Sequence, residues 1–323
     1  MDNATPAPTT QVTHPNKKKN GWKTIVDQRY LWLLAFPAIV CVILFNYAPM
    51  SGIYMAFTNY SSSSNGYISD LTHAPFVGLY WFKYFFENDF GLIMRNTLGV
   101  SLLSLLFGFP MPIIIAVLLN EVRVGWAKKG IQTASYLPYF ISWVVAANLI
   151  LTMFSANGII NDILQALHIT TKEILFFQNG KYFWWILAIA NMWKGMGYNA
   201  IIYLAAISGI DQEQYEAADI DGATRSQKIR FITLPALKPT IMILLILSIG
   251  GILNTGFEQI LLLQNSSILN YADVLDTYSY RYGMVNGMYS YGTAVGLFKA
   301  VVSFLLVIFA NKLSKKYSDA ALF

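Results

Sequence analysis

Charge is scarce in this 323-residue chain: only 12% of its residues are Asp, Glu, Lys or Arg, where a soluble globular chain carries about a quarter. With 55% apolar residues and a mean hydropathy of +0.47, that shortage excludes an ordinary soluble domain and places the chain among integral membrane proteins. Cysteine is almost absent. Cys41 stands alone inside an apolar run, which rules out an intramolecular disulfide. The three histidines, His14, His73 and His168, are far apart, so no histidine cluster is available to hold a metal. No G-x-x-x-x-G-K-[ST] phosphate loop occurs, and the chain therefore lacks a nucleotide-hydrolysis site of that type. The net charge of +5 is spread over short loops and forms no basic face for a nucleic acid.

What is abundant is long apolar sequence. A bilayer core needs roughly 20 apolar residues in a helix, and six runs meet that length, at about 30–52, 95–119, 131–155, 182–208, 240–263 and 290–311. The expected fold class is thus all-α integral membrane, with six transmembrane helices. Residues 1–29 read as a flexible cytoplasmic tail rich in Pro, Thr and Asn, residues 30–313 as the membrane domain, and residues 314–323 as a second cytoplasmic tail. Fifteen of the 22 Lys and Arg fall in the tails and in the second and fourth loops, five fall on the other side, and two lie inside spans. The positive-inside rule then puts both termini in the cytoplasm. On the other side, Phe76–Phe86 reads either as a short interfacial helix or as an aromatic belt, and 264–289 as a polar segment that meets an external partner or caps the bundle.

One loop concentrates charge: EQYEAADIDGATRSQKIRFITLP, from Glu213 to Pro235. Asp211 and Gln214 have capping-box spacing, so a helix is expected to start there. Asp221-Gly222 supplies a turn. A second short helix is expected from about Thr224, ended by Leu234-Pro235. A long ordered loop is usually functional.

Glu216-Ala217-Ala218, then Gly222, Ile232 and Leu234-Pro235, resembles in spacing the EAA loop of importer-type ABC permeases. YLPYFISWVVAANL (Tyr136 to Leu149), FEQILLLQN (Phe257 to Asn265), DVLDTYSYRYG (Asp273 to Gly283) and YSYGTAVGLF (Tyr289 to Phe298) are similar to the carbohydrate permeases of the LplB and MalF type, and the resemblance covers nearly the whole chain after about residue 28. It implies a type I ABC importer permease fold with cytoplasmic coupling helices at about 211–239, in a bacterial cytoplasmic membrane. Glu216, Ala217, Ala218, Asp219, Gly222, Leu234 and Pro235 would make the contact with ATPase subunits. The implied partners are a second homologous permease, two ATP-binding subunits, an extracytoplasmic solute-binding protein, an oligosaccharide and membrane lipid. ATP and Mg would bind the partner subunits, with no cofactor in this chain and no catalytic role for it.

Three charges fall inside spans and are functional candidates for that reason. Counted along straight helices, Glu258 lies about 9 Å, Lys299 about 12 Å and Lys194 about 18 Å deep. Glu258 and Lys299 are therefore expected either to pair or to serve a pathway. Around Lys194, Asn191, Trp193, Tyr198 and Asn199 offer hydrogen-bonding groups beside aromatic faces, as a sugar path requires; Asn254, Tyr139 and Trp143 are further candidates. The two lysines also suit an acidic, uronate-containing substrate. Gly292 and Gly296 are read as packing positions. Two other classes compete with this reading. An ion-coupled secondary carrier would use Glu258 as its ion site and leave the ordered loop unexplained, while a membrane glycosyl transferase would need an acidic cluster that Asp70, Glu87, Asp89, Asp162, Glu173, Asp273 and Asp276 do not form in sequence.

Overall fold

The computed structural model describes residues 29–64 and 66–317. Among them no strand forms, and Thr58 and Phe76 make an isolated bridge. Of the tails expected at 1–29 and 314–323, residues 1–28 and 318–323 lie outside the described residues, whereas Arg29 opens the first helix and 314–317 continue the last one. The chain divides into two compact units after Gly52. In the first, α1 (Arg29–Val42) continues into a π turn at Ile43–Tyr47; the helical run Arg29–Phe57, which ends five residues past Gly52, is long and apolar enough to cross a membrane.

In the second unit, α2 (Tyr67–His73) and α3 (Tyr80–Asn88) precede α4 (Phe90–Gly108) and α5 (Pro110–Glu121). The aromatic stretch at 76–86 becomes helical only from Tyr80, and Phe85 is buried. Phe90–Glu121 makes one span, as do Arg225–Gly250 and Tyr289–Lys312. The expected fourth span is α9 (Phe183–Ser208), 26 residues and about 39 Å long. It is not among the helices apolar enough to cross by composition alone, because Asn191, Lys194 and Asn199 interrupt it. These polar groups are affordable since α4, α5 and α6 (Gly125–Phe140) all pack on α9.

Two expected spans are not continuous. Residues 131–155 break into α6 and α7 (Trp143–Met153), bent by 99°. Pro138 removes a ladder donor near the end of α6, and Ser142 starts α7 by accepting the N–H of Val145 at 3.3 Å. Residues 240–263 likewise break. Here α12 (Leu234–Gly250) ends, the chain turns through Gly256 at φ +89°, and α13 (Phe257–Leu263) begins. Conversely, Leu234-Pro235 does not end its helix. A π turn at Ile229–Thr233 joins α11 (Arg225–Lys228) to α12, and the bond from Leu234 N–H to the Ile229 carbonyl shifts the ladder ahead of the missing proline donor.

The segment 264–289 folds down as α14 (Leu269–Ala272), α15 (Leu275–Tyr280) and a π turn at Arg281–Val285. It caps the bundle: Asn96 donates to the carbonyls of Asn270 and Asp273, and the Thr97 hydroxyl accepts from Leu275. The final helix is α16 (Tyr289–Tyr317). Of its glycines, Gly292 meets Gly283 backbone to backbone, whereas Gly296 has only a Ser279 hydroxyl at ordinary contact distance. Between α8 (Ile159–Ala166) and α9, Asn161 pins the loop by bonding the backbone of Ile174 in both directions.

Candidate functional site

The charged loop is a helical hairpin. Asp211 caps α10 (Gln212–Ile220) by accepting the Glu213 N–H at 3.0 Å. The full reciprocal capping box lies one helix later: Thr224 accepts from the Gln227 N–H, and Gln227 accepts the Thr224 N–H at 2.7 Å. Between the helices Gly222 turns at φ +74°, and Asp219 is paired with Lys228 at 2.6 Å. Glu216, Ala217, Gly222, Leu234 and Pro235 are exposed, Ala218 is half-buried, and Ile220 stands 88% exposed at the tip. An apolar tip framed by charge is built for contact with another surface.

Farther along the same helices, two clefts adjoin. The larger, about 580 Å³, runs between α4, α9 and α12; Asn191, Asn199 and Asn254 line it, as do Ser101, Ser104, Thr255 and Gln259. No charged side chain lines this cleft. Gln259 donates to Asn191 at 3.4 Å and Asn191 to Ser104 at 3.4 Å. The hydroxyl oxygens of Ser101 and Thr255 are buried and have no hydrogen-bond partner among the described residues. The smaller cleft, about 510 Å³, shares Asn191 and Gly195 with the first, and adds Tyr139, Trp143, Lys194 and Glu258.

Lys194 explains why the third span breaks where it does. Its ammonium donates to the carbonyls of Pro138, Tyr139 and Ile141 at 3.3, 2.7 and 2.5 Å. Pro138 and Tyr139 lie in the last turn of α6 and Ile141 just past it, at a helix C-terminus where a cation is favoured; the Pro138 carbonyl also accepts the Ile141 N–H at 3.3 Å. It also lies 5.6 Å from the Tyr139 ring and 5.4 Å from the Trp143 ring. Tyr198 stacks on Tyr139 at 3.8 Å. Lys194→Ala would remove three charge-assisted hydrogen bonds from this partly exposed turn, at about 1 kcal/mol each. The thermal midpoint of the purified protein should fall by several degrees; an unchanged midpoint would remove the capping role.

The structure separates the remaining candidates. Lys299 pairs with Asp276 at 2.5 Å, not with Glu258, because the chain doubles back after α13 and carries α15 against α16. Lys299, Trp193 and Tyr198 line neither of these two clefts. Ser101, Ser104, Thr255 and Gln259 escaped the sequence reading. Serine and threonine in apolar helices ordinarily bond to their own backbone, so only Gln259, beside Glu258, carried a visible signal.

Residues 108–319 match the family described as "Binding-protein-dependent transport system inner membrane component". The chain belongs to this family. It is 43% identical to Protein LplB of Bacillus subtilis (strain 168) over 297 residues, 91% of each chain. To the polygalacturonan/rhamnogalacturonan transport system permease protein YteP of the same organism it is 38% identical over 320 residues, 98% of each. Its fold is similar to that in the crystal structure of a bacterial ABC transporter involved in the import of the acidic polysaccharide alginate, with a TM-score of 0.83, 39% identity, and coverage of 92% of this chain and 99% of that one. The crystal structure of a bacterial alginate ABC transporter in complex with an alginate pentasaccharide-bound periplasmic protein is similar too, with a TM-score of 0.83, 39% identity and coverage of 93% and 99%. The chain is therefore an ABC transporter permease of type I fold, a membrane-spanning transport subunit that works with a solute-binding protein. It is not an enzyme; hydrolysis of ATP belongs to separate subunits.

Proposed function

We propose that this permease conducts an oligosaccharide through a bacterial cytoplasmic membrane, with both termini on the cytoplasmic side. The observation that carries the reading is the larger cleft, where uncharged amides and hydroxyls set among apolar side chains suit the hydroxyls and the apolar ring faces of a sugar, while Tyr139 and Trp143 in the adjoining cleft supply aromatic faces. The relatives named for polygalacturonan, rhamnogalacturonan and alginate transport make uronate-containing oligosaccharides the first substrates to test. Asn191, Lys194, Asn199, Asn254 and Glu258 are proposed as pathway residues.

A second homologous permease completes the pathway, and two ATP-binding subunits drive it. They dock on the hairpin through Glu216, Ala217, Ala218, Asp219 and Gly222, with Leu234 and Pro235 at its base. ATP and Mg bind those subunits. The distribution of Lys and Arg supports a cytoplasmic hairpin. The test is uptake by proteoliposomes holding the assembled complex and its binding protein, offered neutral and uronate oligosaccharides in parallel. ATP-dependent accumulation of one class is expected. Accumulation driven by an ion gradient without ATP would overturn the reading.

A further inference from the structure

The path from the hairpin into α12 is its weakest mechanical stretch. The π turn at Ile229–Thr233 shifts the hydrogen-bond ladder, and Pro235 and Pro239, which follow in α12, bring no N–H to it. A displacement of α10 would be absorbed here unless something braces the turn.

Two contacts tie α10 to this stretch. The Asp219–Lys228 pair joins the two helices, but Asp219 is 62% exposed, and exposed pairs contribute little. The other is the Tyr215 hydroxyl, 2.9 Å from the hydroxyl of Thr233, the last residue of the π turn. Thr233 is 1% exposed. Its hydroxyl also reaches the Lys228 carbonyl at 3.5 Å, so a chain of bonds runs from Tyr215 through Thr233 to the backbone just before the turn. Part-buried and centred on buried Thr233, this chain is better shielded from water than the surface pair. On α10, Tyr215 and Asp219 are one turn apart and face the second helix, leaving Glu216, Ala217 and Ile220 exposed.

We infer that Tyr215 is a positioning residue for transport: its hydrogen bond to buried Thr233 braces the π turn, so that movement of the coupling helix reaches α12 and is not lost in the irregular turn. This rests on the reading that the hairpin docks on the ATPase subunits.

The test uses the full complex in proteoliposomes, with Tyr215→Phe, Thr233→Val and Thr233→Ser. In Tyr215→Phe and Thr233→Val the ATPase subunits should still copurify and hydrolyse ATP at the parental rate. Sugar moved per ATP should fall by about fivefold, the effect of one buried hydrogen bond. Thr233→Ser should restore the ratio, and Tyr215→Phe combined with Thr233→Val should be no worse than either alone. An unchanged ratio in both single variants would overturn the brace, as would loss of copurification in Tyr215→Phe, which would make Tyr215 a docking contact. Gly222→Asp, run in parallel, separates the two readings. If it too leaves copurification and transport intact, the docking of the hairpin fails; if it alone uncouples, only the brace fails.

Discussion

Gly222→Asp should abolish coupling while leaving the permease folded. At φ +74° the position disfavours most side chains, but Asp visits this region more readily than most, and the cost is about 1 kcal/mol. A Cβ built at Gly222 has nothing within 4 Å. Nothing inside this chain therefore obstructs the new carboxylate, and a loss of function must come from whatever approaches the turn from outside. Expression and thermal midpoint should stay near the parental values, while copurification of the ATPase subunits and ATP-driven uptake drop at least tenfold, a change of about 1.4 kcal/mol in docking. Gly222→Asn supplies the control, with similar tolerance of the backbone conformation and no charge. Unimpaired uptake in Gly222→Asp would remove the turn from the docking surface.

How legible this was in the sequence depended on whether the deciding interaction was local. The spans were legible because an apolar run of sufficient length has few alternatives. The breaks were not. Residue Lys194 lies more than fifty positions from the carbonyls it caps at the end of α6, and no local pattern announces such a partner. The partner of Lys299 was not legible for a related reason: depths counted along straight helices leave Glu258 open as a partner, whereas the turn at Gly256 starts a separate helix and Asp276 takes the lysine. Leu234-Pro235 looked like a stop because proline normally ends an α-helical ladder; the π turn removes that conflict one residue earlier. Amides gave a visible pointer to the cleft lining: Asn191 and Asn199 on α9 and Asn254 in the turn after α12 line one cleft. Hydroxyls gave no such pointer, although Ser101 and Thr255 line the same cleft.

Gly197→Ala should damage both stability and transport, and it tests whether the crossing of α6 and α9 sets the geometry of the clefts. A Cβ at Gly197 would lie 2.0 Å from the carbonyl oxygen of Ser135 and 3.0 Å from the Ser135 Cβ. The nearest obstacle is backbone, which cannot rotate aside, so the helices must separate. Small residues at membrane helix crossings serve this close approach, and overpacking typically costs about 1–3 kcal/mol. The damage should extend along α9 in both directions. One residue on, Tyr198 would lose its 3.8 Å stack with Tyr139; three residues back, Lys194 would be drawn from the carbonyls that hold the break. A midpoint lowered by several degrees and uptake reduced by about tenfold are expected together, since about 1.4 kcal/mol of misplacement already accounts for a tenfold change. Gly195→Ala distinguishes occupancy from packing. Its Cβ would meet only the Asn199 amide at 3.2 Å, a flexible end that can move, yet Gly195 lines both clefts. That variant should lower uptake with the midpoint unchanged, whereas equal losses of stability in the two variants would show that the α6–α9 crossing holds no special tolerance limit at Gly197.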